Sequence, residues 1–301
     1  MALNTRSLNP KQLVPGLNAV LGMEYKQHPE IWRSFMSVEN SNRSYEEEVM
    51  TQSFGYAEEK AEGSGIKFDR QREVYTSRYV HQTIALGFEI TEEAQEDNLY
   101  GSVMQRSTKS LARSLKETKE VKTHAILNRG FDTSFTGGDG VSLFSASHPL
   151  GNGQTFSNFL DGSQLSESSL EQAINIIGEF VDEAGLFVVA RATKIVVPTE
   201  LQWTIGRILE SPYRTQTADN DINVINKMSS IPGGAVTSPY LTDPSAWFLL
   251  TDIPDGLKHF VRTPVKMKAL PESDSGNMRF RARERYSNGW SNPRCAVAGR
   301  A

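Results

Sequence analysis

The chain has 301 residues, 38% apolar and 23% charged, enough for one large domain or two smaller ones with real cores. That composition excludes wholesale disorder, and the single cysteine, Cys295, excludes intrachain disulfides and cysteine-rich zinc sites. The net charge of −4 argues against a general nucleic-acid binder, yet residues 256–301 carry ten Lys and Arg against Glu272, Asp274 and Glu284, so a tail of +7 follows a body of −11.

No stretch approaches 18 consecutive apolar residues, so no membrane span is expected. The first residues, Met1 to Arg6, lack the apolar core of a signal peptide. A lone thiol suits a reducing compartment. The expectation is a soluble chain made inside a cell.

Residues 1–44 read as an arm. A helix is predicted from near Asn9 to Met23, followed by an apolar knot at Ile31, Trp32, Phe35 and Met36. The arm either packs on its own domain or docks on a neighbouring subunit. Residues 45–90 read as a long hairpin. Tyr45 to Tyr56 forms one strand and Glu73 to Ile90 the other, with strict period two from Val74 to Gly87. The polar turn Glu58–Gly65 joins them. With few apolar residues at its tip, the hairpin is expected to project.

Thr91 to about Asn128 predicts one very long helix. Thr91 is a good N-cap, Glu92, Glu93, Glu96 and Asp97 fill the first turns, and Lys119, Lys122 and Arg129 precede or follow the end before Gly130. Leu99, Val103, Leu111, Leu115 and Ile126 give a thin apolar stripe, widened by Tyr100 and Met104. Residues 131–165 are rich in Gly, Ser and Asn and read as loop with one short hairpin. Residues 166–255 return to an α/β pattern. Ser166 caps a helix, Ile195–Pro198 is a buried strand, Thr199 caps a helix from Glu200 to Glu210, and Ala246–Leu250 is a second buried strand. The tail reads as strands. In Arg279-Phe-Arg-Ala-Arg-Glu-Arg-Tyr286 four arginines at spacing two share one strand face, and Phe280, Ala282, Glu284 and Tyr286 share the other.

The usual chemical constellations are absent. There is no phosphate-binding G-x-x-x-x-G-K-[ST], no G-x-G-x-x-G after a strand, no H-E-x-x-H and no G-x-S-x-G. The five histidines are scattered, so no metal is expected. Ser145 or Ser147 beside His148 is the best hydrolase candidate, but adjacent strand residues point opposite ways and a His-Pro turn explains the run. Cys295 has no assured cationic neighbour and is expected to be inert. The arginine strand is either a salt-bridged face or a phosphate contact.

The order of parts, together with Val141–Pro149 (VSLFSASHP), Trp247–Pro254 (WFLLTDIP) and Arg279–Pro293 (RFRARERYSNGWSNP), resembles tailed-phage major capsid proteins of the HK97 type, and within them the Mu-like head subunits. The likeness covers most of the chain past about residue 30. It implies an α+β capsid fold: an N-terminal arm (1–44), an extended hairpin or E-loop over a neighbouring subunit (45–90), a P-domain (91–165 and 253–301, with a spine helix over 91–129) and an A-domain (166–252). It implies a non-enzymatic shell subunit forming hexamers and pentamers around double-stranded DNA, assembled in a bacterial cytoplasm and residing in the virion. Partners would be further copies of the chain, a separate scaffolding protein, a portal, a decoration protein in some relatives, and DNA held non-specifically. No cofactor and no membrane are expected. Met1 argues against a trimmed product, and no cross-link is predicted for Lys60 or Lys67. A nanocompartment shell enclosing protein cargo and another phage structural protein are the alternatives. The candidate inter-subunit contacts are Glu46, Glu47, Glu48, Glu58, Glu59 and Glu62 of the hairpin against Arg279, Arg281, Arg283 and Arg285.

Overall fold

The computed structural model describes residues 10–91, 93, 100–213, 221–271 and 277–301. Two sheets organise them. The first has four strands in the order Ser37–Asn40, Leu257–Pro271, Met278–Trp290 and Gln82–Ile90. The short first strand runs parallel to its neighbour and the rest are antiparallel. Met278–Trp290 alternates as its sequence requires: Phe280, Ala282, Glu284 and Tyr286 are buried, while Arg279, Arg281 and Arg283 are exposed. Burying one face of a strand fixes its register, because a one-residue slip would turn every apolar side chain outward.

The buried face is covered by two helices, Pro10–Gln27 and Tyr100–Asn128. The long helix has 29 residues and spans about 43 Å. Met104, Leu111, Ala112 and Leu115 meet Leu21 of the first helix and Ile90, Met267, Met278, Phe280 and Ala282 of the sheet. The described part of the arm therefore packs on the chain's own body. Trp32, Phe35 and Met36 also join the chain's own core. Of the acidic first turns expected for the long helix, Glu92, Glu96 and Asp97 lie outside the described residues, as does Leu99.

The second sheet has five strands in the order Phe159–Leu160, Ala296–Gly299, Trp247–Thr251, Ala192–Pro198 and Ala235–Ser238. Both faces of its central strands are buried, so Ile195–Pro198 and Trp247–Leu250 read as continuous apolar runs. Trp247, Leu249, Ile195 and Val197 pack with Leu170 and Ile177 of the helix Glu167–Gly178 and with Ile205 of the helix Gln202–Glu210. Phe248, Leu250, Val196 and Ala298 face the other way, onto Trp32, Phe144 and the end of the long helix at Ile126 and Leu127. The two sheets are thus joined through one apolar layer. Ser166 caps its helix with a full capping box, as expected. Thr199 does not cap: a short 3₁₀ turn over Thr199–Leu201 precedes the helix, which starts at Gln202. The tail divides between the sheets, because its last strand, Ala296–Gly299, pairs with Trp247–Thr251.

The hairpin differs from expectation in one respect. Tyr45–Gln52 pairs with Arg72–Val80, but the second strand stops there. After His81 the chain continues as Gln82–Ile90 within the four-stranded sheet. The buried side changes with it, from odd-numbered Ser77 and Tyr79 to even-numbered Ile84, Phe88 and Ile90. Unbroken alternation in the sequence hides this exchange.

Candidate assembly interface

The hairpin is anchored at its root and bare at its tip. At the root, Tyr79 packs on Phe260 with ring centroids 4.8 Å apart, and its hydroxyl bonds Ser291. Glu48 bonds both Ser291 and Lys258. The loop Thr136–Gly140 closes over the same strand. A Cβ on Gly137 would sit 2.7 Å from Trp290 Nε1 and one on Gly138 would sit 2.7 Å from Ser77 Oγ, so only glycine lets this loop approach. Beyond the root, every residue from 53 to 71 is exposed. Phe54, Tyr56, Ile66 and Phe68 stand in water there, Phe68 with 91% exposure. The tip is thus more apolar than the sequence reading allowed, and an exposed patch of this kind marks an interaction surface.

The six hairpin acids fall into two groups. Four have partners within the chain. Glu46 accepts from Ser41 Oγ at 2.6 Å, Glu47 lies 3.5 Å from Arg78, Glu48 meets Lys258 and Glu58 meets Lys67. Glu59 and Glu62 are exposed and have no side-chain partner among the described residues. The arginines also divide. Arg279 pairs with Glu89 at 2.9 Å. Arg285 is half-buried, and its Nε has no hydrogen-bond partner among the described residues. Arg281 and Arg283 are exposed on the open sheet face, directly across the ladder from Lys268 and Lys266. On their other side lie Gly87 and Ala85, which offer no charge. Like charges placed opposite each other destabilise a sheet by roughly 0.2–1 kcal/mol per pair. This face therefore holds four cations that nothing in the chain neutralises among the described residues.

Several charged groups shape this region through partners that only the fold brings to them. Lys258 is 6% exposed in its side chain and lies 3.1 Å from Glu39 and 2.8 Å from Asp255 besides Glu48. Burial alone would depress its ammonium, but hydrogen bonds to Asp255, Glu48 and Glu39 hold it above the ordinary lysine value. Glu284, the one acid on the buried face of the arginine strand, pairs with Lys119 of the long helix at 2.6 Å and accepts from Tyr25 at 3.0 Å. Its position was a usable signal, because a carboxylate on an apolar face needs a buried cation. Glu120 accepts from the backbone N–H of Ile31 at 2.8 Å and of Trp32 at 3.2 Å, tying the arm to the long helix. Burial pushes its carboxyl up to about 7, against the pull of those two amides.

The hydrolase candidate dissolves. His148 is fully buried and stacked on Phe156. Its Nδ1 lies 2.7 Å from Asp139 and its Nε2 3.1 Å from the Asn158 side-chain oxygen, so both ring nitrogens are committed away from Ser145 and Ser147. Asn158 donates to Leu143 and Pro293, so the group pins the Gly-rich region to the tail. Cys295 is buried, and desolvation pushes its thiol up to about 12, far from a reactive thiolate. Among the described residues no cluster of three or more His, Cys, Asp or Glu could hold a metal, and no helix is long and apolar enough to cross a membrane.

This architecture is shared. The chain is similar to the virus-like particle from Pyrococcus furiosus at TM-score 0.54 and 12% identity, covering 95% of this chain and 99% of that one. It is similar to a chain of Mycobacterium phage Adephagia at TM-score 0.55 and 10% identity, covering 91% and 90%. The capsid of cyanophage P-SCSP1u matches at TM-score 0.54 and 11% identity, over 91% and 88%. At such identities the likeness establishes the fold, which is the HK97-type capsid fold. No curated protein matches in sequence. The model of the phage capsid protein family matches residues 73–299, from the second hairpin strand to the last strand of the tail. The chain belongs to the phage capsid protein family.

Proposed function

We propose that this chain is the major subunit of an icosahedral phage head, closing as hexamers and pentamers around double-stranded DNA. The observation that carries the reading is the family match over residues 73–299, about three quarters of the chain. Within the family, the motifs at 141–149, 247–254 and 279–293 favour the Mu-like head subunits. The arm is 1–44 and the E-loop 45–90, with its free part ending at Val80. The P-domain takes 91–165 and 253–301 and the A-domain 166–252, and the terminal strand Ala296–Gly299 links the two by pairing with Trp247–Thr251. A separate scaffolding protein, a portal and non-specifically held DNA are the further partners, and assembly takes place in the host cytoplasm.

The hairpin tip supplies one side of the contact between neighbours. Phe68 and Ile66 offer apolar area and Glu59 and Glu62 offer charge, while Arg281 and Arg283 of the next copy receive them, with Lys266 and Lys268 beside them. Glu46, Glu47, Glu48, Glu58 and Arg279 contribute less, because their own chain already occupies them, and Arg285 contributes less because it is half-buried. The test is electron microscopy of the expressed protein after size-exclusion chromatography, alone and with its scaffold. Closed particles or rings of five and six support the reading. A monomer under both conditions overturns it. Reversing Arg281 and Arg283 to Glu is expected to abolish particles, and intact particles would remove those two residues from the interface.

The alternative is a shell enclosing protein cargo. Nucleic acid or protein inside purified shells separates the two.

A further inference from the structure

The chain passes from hairpin to body through one residue. Arg72–Val80 belongs to the hairpin ladder and Gln82–Ile90 to the four-stranded sheet, and His81 between them belongs to neither. It is 5% exposed. Its ring reaches both sides of the junction. Nε2 lies 2.8 Å from Ser41 Oγ, in the turn that leads into the first hairpin strand. Nδ1 lies 2.9 Å from Ser287 Oγ, on the sheet.

The proton positions follow from the partners. The Ser41 hydroxyl donates to Glu46 at 2.6 Å, so it accepts from His81 Nε2–H. Nδ1 is then the acceptor for the Ser287 hydroxyl. A neutral imidazole satisfies every group in this chain of bonds. An imidazolium would aim N–H at the Ser287 hydroxyl, which would have to turn its own proton elsewhere in a buried site. The surrounding charges make that worse. Glu46 faces the ring from the first hairpin strand, Arg262 from Leu257–Pro271 and Arg285 from Met278–Trp290. The Nε atoms of both arginines are buried without a hydrogen-bond partner among the described residues. A charged His81 would be a third cation against one carboxylate. Burial first, then Arg285, hold its pKa below the ordinary histidine value, with Glu46 opposing.

We propose that His81 is an acid-released latch: neutral, it ties Ser41 to Ser287 across the junction, and protonated, it frees the hairpin to swing against the sheet. Glu48–Lys258 and Tyr79–Ser291 still tether the root, so release changes the angle of the hairpin without unfolding it. Because the closed-state pKa lies below the open-state value of about 6.5, the latch is fully closed above that pH and weakens as pH falls. The inference rests on the junction alone and stands whether or not the chain forms shells.

The test is amide hydrogen exchange on the full chain at pH 7.5 and 5.0, expressed as protection relative to the intrinsic rate at each pH. Protection of amides 40–46 and 79–83 is expected to fall about tenfold, within the limit of tenfold per pH unit for one proton. Protection in the long helix should hold. His81→Gln can still donate to Ser41 and accept from Ser287 but cannot titrate, so its protection should not change with pH. Unchanged protection in the wild type, or the same fall in His81→Gln, overturns the proposal. Should His81→Gln not fold, an NMR titration of the wild-type His81 ring decides. A midpoint that coincides with the change in exchange supports the latch, and one that does not overturns it.

Discussion

The two faces of Met278–Trp290 are built from alternate residues of one strand and follow opposite rules. On the inner face Phe280, Ala282 and Tyr286 are buried, and the only charge, Glu284, is matched by Lys119 at 2.6 Å. On the outer face Arg281 and Arg283 look across the ladder at Lys268 and Lys266. The inner face is finished within one chain. The outer face carries a cost that one chain leaves standing. The difference separates what folds this subunit from what its neighbours must supply.

The largest effects should therefore fall on the inner face. Phe280 is 1% exposed and stacks on Phe88 at 5.1 Å between centroids. Phe280→Ala should destabilise the subunit by about 3–5 kcal/mol, read as a lowered guanidinium midpoint. Lys119→Met should cost about 3 kcal/mol, because it strands the Glu284 carboxylate in the core. Adding Glu284→Leu to that variant should restore most of the loss, since a well-packed apolar pair replaces a buried ion pair at little cost. A double variant as unstable as the single one would show that the inner face depends on its charges and not on packing.

The contrast between the faces was legible in the sequence because period two carries it directly. Arg279 to Tyr286 states its own sidedness, as do the doubly buried runs at Ile195 and Trp247. The long helix was legible for a similar reason, although its stripe looked thinner than its buried face. Thr108, Lys116, Glu120, Thr123 and His124 are all buried along it, and a polar residue in a sequence does not announce a partner that arrives from 90 residues away. The same limit explains the hairpin acids. Glu48 and Glu59 look alike in sequence, and only the fold brings Lys258 to one and leaves the other bare. The exchange of buried side at His81 was invisible because the alternation of residue types continues through it. The division of the tail between two sheets was hidden because short apolar strands such as Ala296–Gly299 fit either.

Another buried charge of the body, Glu120, gives a smaller effect, and one that depends on pH. Glu120 is 3% exposed, and its carboxyl is pushed up to about 7. A carboxyl raised on folding holds its proton more tightly in the folded state. Stability is then greatest below the unfolded value and declines as pH rises from about 4.5 towards 7, by roughly 1–3 kcal/mol. Thermal melts across that range should show the decline, and Glu120→Gln should flatten it. A slope unchanged in that variant would move the pH dependence to another group and mean that Glu120 ties the arm to the long helix as an ionised carboxylate.

The outer face should give the smallest effect on the subunit. Removing Arg281 or Arg283 takes away no buried area and no partner, only a repulsion across the ladder. Arg281→Ser and Arg283→Ser should each leave the guanidinium midpoint within about 0.5 kcal/mol of wild type, or raise it slightly. The two faces then separate cleanly: inner variants change the midpoint of the monomer, and outer variants change only the yield of particles. A loss of about 2 kcal/mol from either serine variant would break the comparison. It would mean that the arginine stems cover apolar surface of their own sheet, and that this face is as much part of the fold as Phe280 beneath it.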